Sequence, residues 1–341
     1  MQEERRYNYC LDFVKGIACI LVVLIHCKFP GRVGLSVQAV ARFAVPLFFM
    51  VSGYYCYRGG QYTNNQVITK KIVKIAKMTF SWYLFYLFFF VVENWLFKAS
   101  HVFDFSLTHI LHVAVFNQPS NVPPHFWFLF ALINVYLLFL LVNALKVRKI
   151  GYVFSLVMFA LLIALQQGAS LMGYSITPYY FRNFLIEGFP FFMLGHFLHE
   201  NKEKCNVSNV LLLIIVGISA VLSIGERFMF KSFIKVFLST YPLVVCLFVY
   251  AINNPYRHRG MIQLLGKNLS MPVYILHWFV MIVVDRMIKY YEYEGISYVQ
   301  WLRPIAVIGI TILLGFLYHK LSTIRLKKCK LVNCAIKRRY L

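Results

Sequence analysis

Apolar runs close to twenty residues long recur along the whole chain, separated by short basic stretches, and they leave few folds open. The runs lie at about residues 11–29, 37–57, 75–97, 126–145, 150–167, 180–199, 208–225, 235–253, 266–288 and 304–321. As helices, each is near the length needed to cross a hydrocarbon core roughly 30 Å thick. With 60% hydrophobic and 14% charged residues, the chain has too little polar surface to cover a soluble core of this size. The expectation is an all-α polytopic membrane protein of about ten transmembrane helices. Residues 1–325 form one membrane domain, followed by a basic cytoplasmic tail at 326–341. The stretch 106–117 is too short to span and reads as an interfacial or re-entrant helix. No internal repeat is visible, which weighs against the inverted-repeat plan of many secondary transporters.

The net charge of +23 does not indicate nucleic acid, because the basic residues sit in short loops between apolar spans. Most of the 35 lysines and arginines fall in the N-terminus, 58–77, 146–149, 202–204, 257–267 and the C-terminal part. By the positive-inside bias these segments, and hence both termini, face the cytoplasm. The sequons at Asn206 and Asn268 then lie on the cytoplasmic side and carry no meaning. No cleavage site follows the first apolar run. The eight cysteines form no CxxC pair, so neither a zinc site nor a disulfide framework is indicated, and no metal is expected.

Ionisable residues inside spans are expensive and mark a protein interior or a watery cavity. In the first run, "LDFVKGIACILVVLIHCKF", Asp12, Lys15 and His26 are such residues. Lys15 and His26 are eleven residues apart, about three turns, so they share a face roughly 16 Å apart along the axis. Asp12 can pair with Lys15 on that face, with Cys19 and Val22 completing the stripe. The second run places Ser52 and Gly53 near the depth of Lys15. Gly53 serves either close helix packing or close approach to a ligand. A loop just below holds Lys70, Lys71, Lys74 and Lys77, of which 70, 74 and 77 recur at helical spacing as a basic strip at the cytoplasmic mouth, either facing lipid headgroups or binding phosphates.

Glu187, His125 and Trp127 fall within roughly 10 Å of the outer boundary, near the depth of His26. Glu93 lies there too and could instead snorkel. His277 sits near mid-membrane, as a helix-bridging or an active-site histidine. His109 and His112 are read as an interfacial surface, and His196 and His199 as an inner helix end suited to headgroups. Asp285–Arg286 is read as an interfacial pair.

The Asp-x-x-Lys and Lys-x10-His spacing of Asp12, Lys15 and His26, with "PLFFMVSGYY" on the second run, resembles the signature of the integral-membrane acyltransferase 3 family. "HFWFLFALI", "FPFFMLG" and "LLGKNLSMPVYILHWFV" resemble its later segments, and the likeness covers about residues 8–325. Members commonly carry Arg where this chain has Lys15, a point charge in place of a bidentate fork. The resemblance implies transfer of an acyl group, usually acetyl, from cytoplasmic acyl-CoA to a hydroxyl of an envelope polysaccharide or lipid-linked glycan. That places the chain in a bacterial inner or plasma membrane. No cofactor would be permanently bound; acetyl-CoA or another acyl-CoA would be the co-substrate.

The residues agree with that implication. Basic side chains at the inner mouth suit coenzyme A phosphates, and the span from Lys15 to His26 is on the order of an extended pantetheine arm. An imidazole titrating near pH 6.5 suits base work at neutral pH. His26 is expected as base or acyl carrier and Glu187 as its orienting or acceptor-orienting partner. Lys15, Ser52, Lys70, Lys71 and Lys74 would hold the donor, with Asp12, His125, Trp127 and His277 in support. The rival reading is a transporter or flippase in which the polar column is a substrate or proton path; a third is a degenerate acyltransferase module acting as a sensor.

Overall fold

The computed structural model describes residues 7–59, 62–230 and 234–339, with side chains up to 324. Arg5, Arg6 and the basic side chains of the 326–341 tail lie outside the described residues, although the backbone of the tail continues the last helix to Arg339. Among the described residues every regular element is helical. In chain order these are α1 (Tyr9–His26), α2 (Gly31–Ala41), α3 (Ala44–Tyr54), α4 (Asn65–Phe97), α5 (Leu107–Phe116), α6 (Trp127–Ala144) and α7 (Arg148–Ile163). There follow α8 (Ala169–Leu171), α9 (Phe189–Glu200), α10 (Asn209–Met229), α11 (Thr240–Asn253), α12 (Met261–Leu264), α13 (Ser270–Tyr290) and α14 (Ser297–Arg339). Three π-turns interrupt them: Ala164–Gly168 between α7 and α8, Phe184–Gly188 before α9, and Leu265–Leu269 between α12 and α13.

Eight helical stretches are long and apolar enough to cross a membrane: Tyr9–His26, Gly31–Tyr54, Asn65–Phe97, Pro124–Ala144, Arg148–Leu171, Asn209–Met229, Met261–Tyr290 and Ser297–Ile324. The remaining two expected runs are helical but shorter, and the sequence shows why. Asn183 stops helix from starting at 180, because its side-chain oxygen accepts from the Leu185 and Ile186 amides and fixes the start at Phe184. Before α11, Glu226 accepts from the Leu238 and Ser239 amides, and Gln166 accepts from the Lys235 and Val236 amides. These bonds hold residues 235–239 as an ordered connection, so the helix begins at Thr240 rather than at 235. The short helix expected over 106–117 is α5.

Two boundaries move outward. The second run begins at Gly31 and breaks at Arg42–Phe43, where Pro46 can neither donate to the Arg42 carbonyl nor avoid it sterically. α4 begins at Asn65, ten residues before the apolar run, because Asn64 caps it by accepting from the Gln66 amide at 2.8 Å. Lys70, Lys71, Lys74 and Lys77 therefore ride on its first turns and are not in a loop.

The chain divides into two compact units, one of Met1–Ala41 with Asn254–Leu341 and the other of Arg42–Asn253. In the first, α1 lies backbone to backbone against 262–266. A Cβ on Gly16 would sit 2.1 Å from the Ile262 carbonyl oxygen, and one on Gly266 would sit 1.8 Å from that of Asp12. In the second, α3 and α9 meet in the same manner. A Cβ on Gly53 would lie 1.8 Å from the Phe192 carbonyl oxygen, and one on Gly195 would lie 1.9 Å from that of Met50. Gly53 thus serves helix packing, the van der Waals contact that holds helices together where lipid removes the hydrophobic drive.

Candidate functional site

In the first unit α1 carries charge at one end and an imidazole at the other. Lys15 Nζ donates to Asp12 Oδ1 at 2.8 Å, the i, i+3 pair expected from the spacing. The Tyr7 hydroxyl donates to the other Asp12 oxygen, and Gln263 Nε2 donates to that hydroxyl at 3.2 Å. Three aromatic rings at this end face cationic or potentially cationic groups. The Lys267 ammonium lies 4.4 Å from the Tyr7 ring centroid and the Arg259 guanidinium 4.3 Å from that of Tyr9, while the His258 ring stacks on Phe13 at 4.6 Å. Sequence reading counted Arg259 and Lys267 only as loop charge; the close contact of the neighbouring Gly266 with α1 brings Lys267 to the Tyr7 ring.

Three turns along, the His26 ring packs against two rings of α13, His277 at 5.3 Å and Trp278 at 5.1 Å between centroids. His26 is half-buried and His277 fully buried. His277 Nδ1 lies 2.6 Å from the Tyr274 carbonyl oxygen, which can only accept, so the ring donates there. In the neutral ring the lone pair is then on Nε2. His277 is therefore a neighbour of His26, which the sequence left open. The π-turn Leu265–Leu269 just before α13 shifts the helical phase, and this offset is what single-sequence periodicity misses.

Past His26 the chain turns through Lys28–Gly31 into α2, and a cavity of about 520 Å3 opens there, lined by Lys28, Phe29, Pro30, Gly31, Arg32, Leu35, Gln300 and Arg303. Asp285 accepts from Arg303 Nε at 2.5 Å and Nη2 at 2.7 Å, a bidentate pair. This pair ties α13 to α14, a partner for Asp285 beyond its sequence neighbour.

The second unit holds the other candidates. Glu187 sits in the π-turn Phe184–Gly188 and is 3% exposed. The charges of Arg182, Arg42 and Lys235 act on it, and its Oε2 has no hydrogen-bond partner among the described residues. One carboxylate thus lies among three cations, none of which the sequence reading singled out. Lys235 belongs to the connection before α11. Burial pushes its ammonium down to about 7, with Arg42 and Arg182 adding to that and Glu187 opposing it. Trp127 offers its ring to Arg182, 5.2 Å from guanidinium carbon to centroid. His125 is buried among Tyr86 and Phe126, its ring centroid 6.0 and 5.0 Å from theirs.

Ser52 Oγ donates to the Phe48 carbonyl oxygen one turn back at 2.9 Å. The four lysines divide. Lys71 turns inward, donating to the Tyr55 carbonyl oxygen and to Cys56 Sγ at 3.2 Å each, while Lys70, Lys74 and Lys77 are exposed along one face. Three minor expectations are corrected. Glu93 does not snorkel: it is buried and 2.8 Å from His101 Nε2, whose ring stacks on Phe90. His196 faces the interior, with Nδ1 2.8 Å from a Tyr152 hydroxyl that also donates to Glu200. His109 is buried beside Ser120 and is not part of an open surface. Among the described residues, no three His, Cys, Asp or Glu side chains form a metal-holding group.

Eight helices of membrane-crossing length and apolarity make this a multi-pass helical membrane protein, and family comparison gives its class. A family model described as an acyltransferase domain matches residues 8–320, nearly the whole chain, and the protein belongs to this acyltransferase 3 family. No curated protein and no solved structure matches the chain.

Proposed function

We propose that this membrane acyltransferase moves an acetyl or other acyl group from cytoplasmic acyl-CoA to a hydroxyl of an envelope glycan, with His26 at the reacting end. The observation that carries the reading is the layout of α1. Its ion-paired Lys15 end, flanked by Arg259 and Lys267, and its His26–His277 end are separated by about 16 Å of helix. Cations at the first end suit the phosphates of coenzyme A, and a pantetheine arm laid along the helix would bring a thioester to the second. In this account the spans number about ten and both termini are cytoplasmic, the orientation favoured by the basic loops.

Two routes fit the imidazole. His26 takes the proton of the acceptor hydroxyl as its oxygen attacks the thioester carbonyl; the carbon–sulfur bond breaks, and the coenzyme A thiolate leaves and regains the proton. Alternatively the His26 ring attacks first, releases coenzyme A and hands the acyl group on from an acyl-imidazole. His277, its tautomer fixed by Tyr274, orients His26 in either case. Lys70 and Lys74 are exposed for the donor, and Lys71 and Ser52 support it from within their own helices. Glu187, with Arg182, Arg42 and Lys235 around it, is assigned to the acceptor. Trp127 and His125 shape the wall behind it.

The test is coenzyme A release from acetyl-CoA by purified protein in lipid nanodiscs supplied with an envelope glycan acceptor. His26→Ala abolishes release while acetyl-CoA still binds; wild-type release by that variant rejects the proposal. Burst kinetics then separates the two routes, because only an acyl-imidazole gives a stoichiometric burst without acceptor.

A further inference from the structure

The cavity beyond His26 has no part in donor binding as proposed, since it lies at the opposite end of α1 from Lys15. Its lining carries three cations, Lys28, Arg32 and Arg303, and no carboxylate. Of these three cations Arg303 is ion-paired, with Asp285, whereas Lys28 and Arg32 are in no ion pair among the described residues. The site is built. Gly31 starts α2 at φ +61°, a conformation suited to glycine, and Gly34 packs so closely that a Cβ would lie 1.8 Å from the Phe29 carbonyl oxygen. The Phe29 ring rests against Trp301 at 5.8 Å. The eleven-residue helix α2 points its N-terminus at the same space, adding partial positive charge from its unpaired amides.

We propose that this cavity binds a phosphate group of the acceptor, so that the glycan acylated beside His26 is phosphate-bearing, either diphosphoryl-linked to a lipid or carrying phosphodiesters. The inference rests on the transferase reading for the word acceptor. Its observations favour a substrate over bulk lipid headgroups for two reasons. About 520 Å3 lies in the range of small-molecule sites, roughly 300–1,000 Å3. Arg303 is held rigidly by its fork on Asp285, whereas a headgroup-facing arginine snorkels freely. Lys28 follows His26 by two residues, so a phosphate held there keeps the neighbouring sugar hydroxyls within reach of the imidazole.

The experiment measures binding, not turnover. Full-length protein in phosphatidylcholine nanodiscs is titrated with a short-chain isoprenyl diphosphoryl N-acetylglucosamine and with the isoprenyl N-acetylglucosaminide lacking the diphosphate. The expected result is tighter binding of the diphosphoryl probe and a loss of at least about tenfold in the double variant Lys28→Gln, Arg32→Gln. Arg32→Lys should retain most of the affinity, and both exposed substitutions should leave the protein monodisperse. Equal affinity for the two probes, or no loss in the double variant, overturns the proposal. So does displacement of the probe by phosphatidylglycerol added to the nanodisc, which would make this a headgroup site. Acetyl-CoA-dependent coenzyme A release is measured separately. Release without selective probe binding rejects the phosphate subsite alone, and probe binding without release rejects the transferase reading alone.

Discussion

Gly266→Ala should damage activity far more than the addition of one methyl group suggests. An alanine Cβ at this position would lie 1.8 Å from the Asp12 carbonyl oxygen and 2.6 Å from the Gly16 amide nitrogen, against about 3.4 Å for ordinary contact. Both neighbours are backbone, so no side-chain rotation relieves the clash, and α1 and the π-turn must part by about 1.6 Å. Overpacking of this kind costs about 1–3 kcal/mol of stability. The larger effect is on geometry, because the displaced turn of α1 carries Asp12 and Lys15 and the displaced π-turn carries Lys267. A misplacement of about 1 Å at a reacting centre costs about a hundredfold, so kcat/KM for acyl-CoA should fall by about that factor. Thermal unfolding in nanodiscs and coenzyme A release read the two effects. Gly309→Ala on α14 is the control, since nothing lies within 4 Å of its Cβ position. Wild-type melting and turnover in Gly266→Ala would refute the close backbone contact and the positioning argument built on it.

Four further outcomes are expected. His277→Phe keeps an aromatic ring, a larger one, but removes both nitrogens, and kcat for coenzyme A release should fall about a hundredfold with the KM for acyl-CoA unchanged. Lys70→Gln with Lys74→Gln should raise that KM by about tenfold through lost charge-assisted contacts, whereas Lys71→Met should lower the melting temperature, because Lys71 caps the Tyr55 carbonyl. Lys235 titrates near 7 when folded and at 10.5 when free, so between those values the unfolded chain holds a proton that the folded chain lacks, and stability rises with pH. Melting temperatures of Lys235→Gln compared with wild type between pH 7 and pH 9 should show a flatter rise in the variant.

The parts legible in sequence were the local ones. The Asp12–Lys15 pair needed only helical spacing, and the eleven-residue interval placed His26 on the same stripe. The apolar runs were readable because bilayer thickness sets their length. Contacts that depend on which way a second helix is turned were not readable. His277 meets His26 after a π-turn that changes the phase of α13, and Asp285 finds Arg303 across a helix pair. The strip of Lys70, Lys74 and Lys77 was readable from helical spacing, whereas the hold of the end of α3 on Lys71 was not. Arg182 precedes Glu187 by five residues in the same apolar run, a signal that could have exposed part of the cationic cluster; Arg42 and Lys235 come from distant segments.

The most direct measurement seals the protein into vesicles with envelope glycan enclosed and adds acetyl-labelled acetyl-CoA outside. The account predicts free coenzyme A outside, label covalently attached to the enclosed glycan, and neither in His26→Ala. Label that never becomes bonded to glycan, or equal labelling with and without the His26 imidazole, would contradict it.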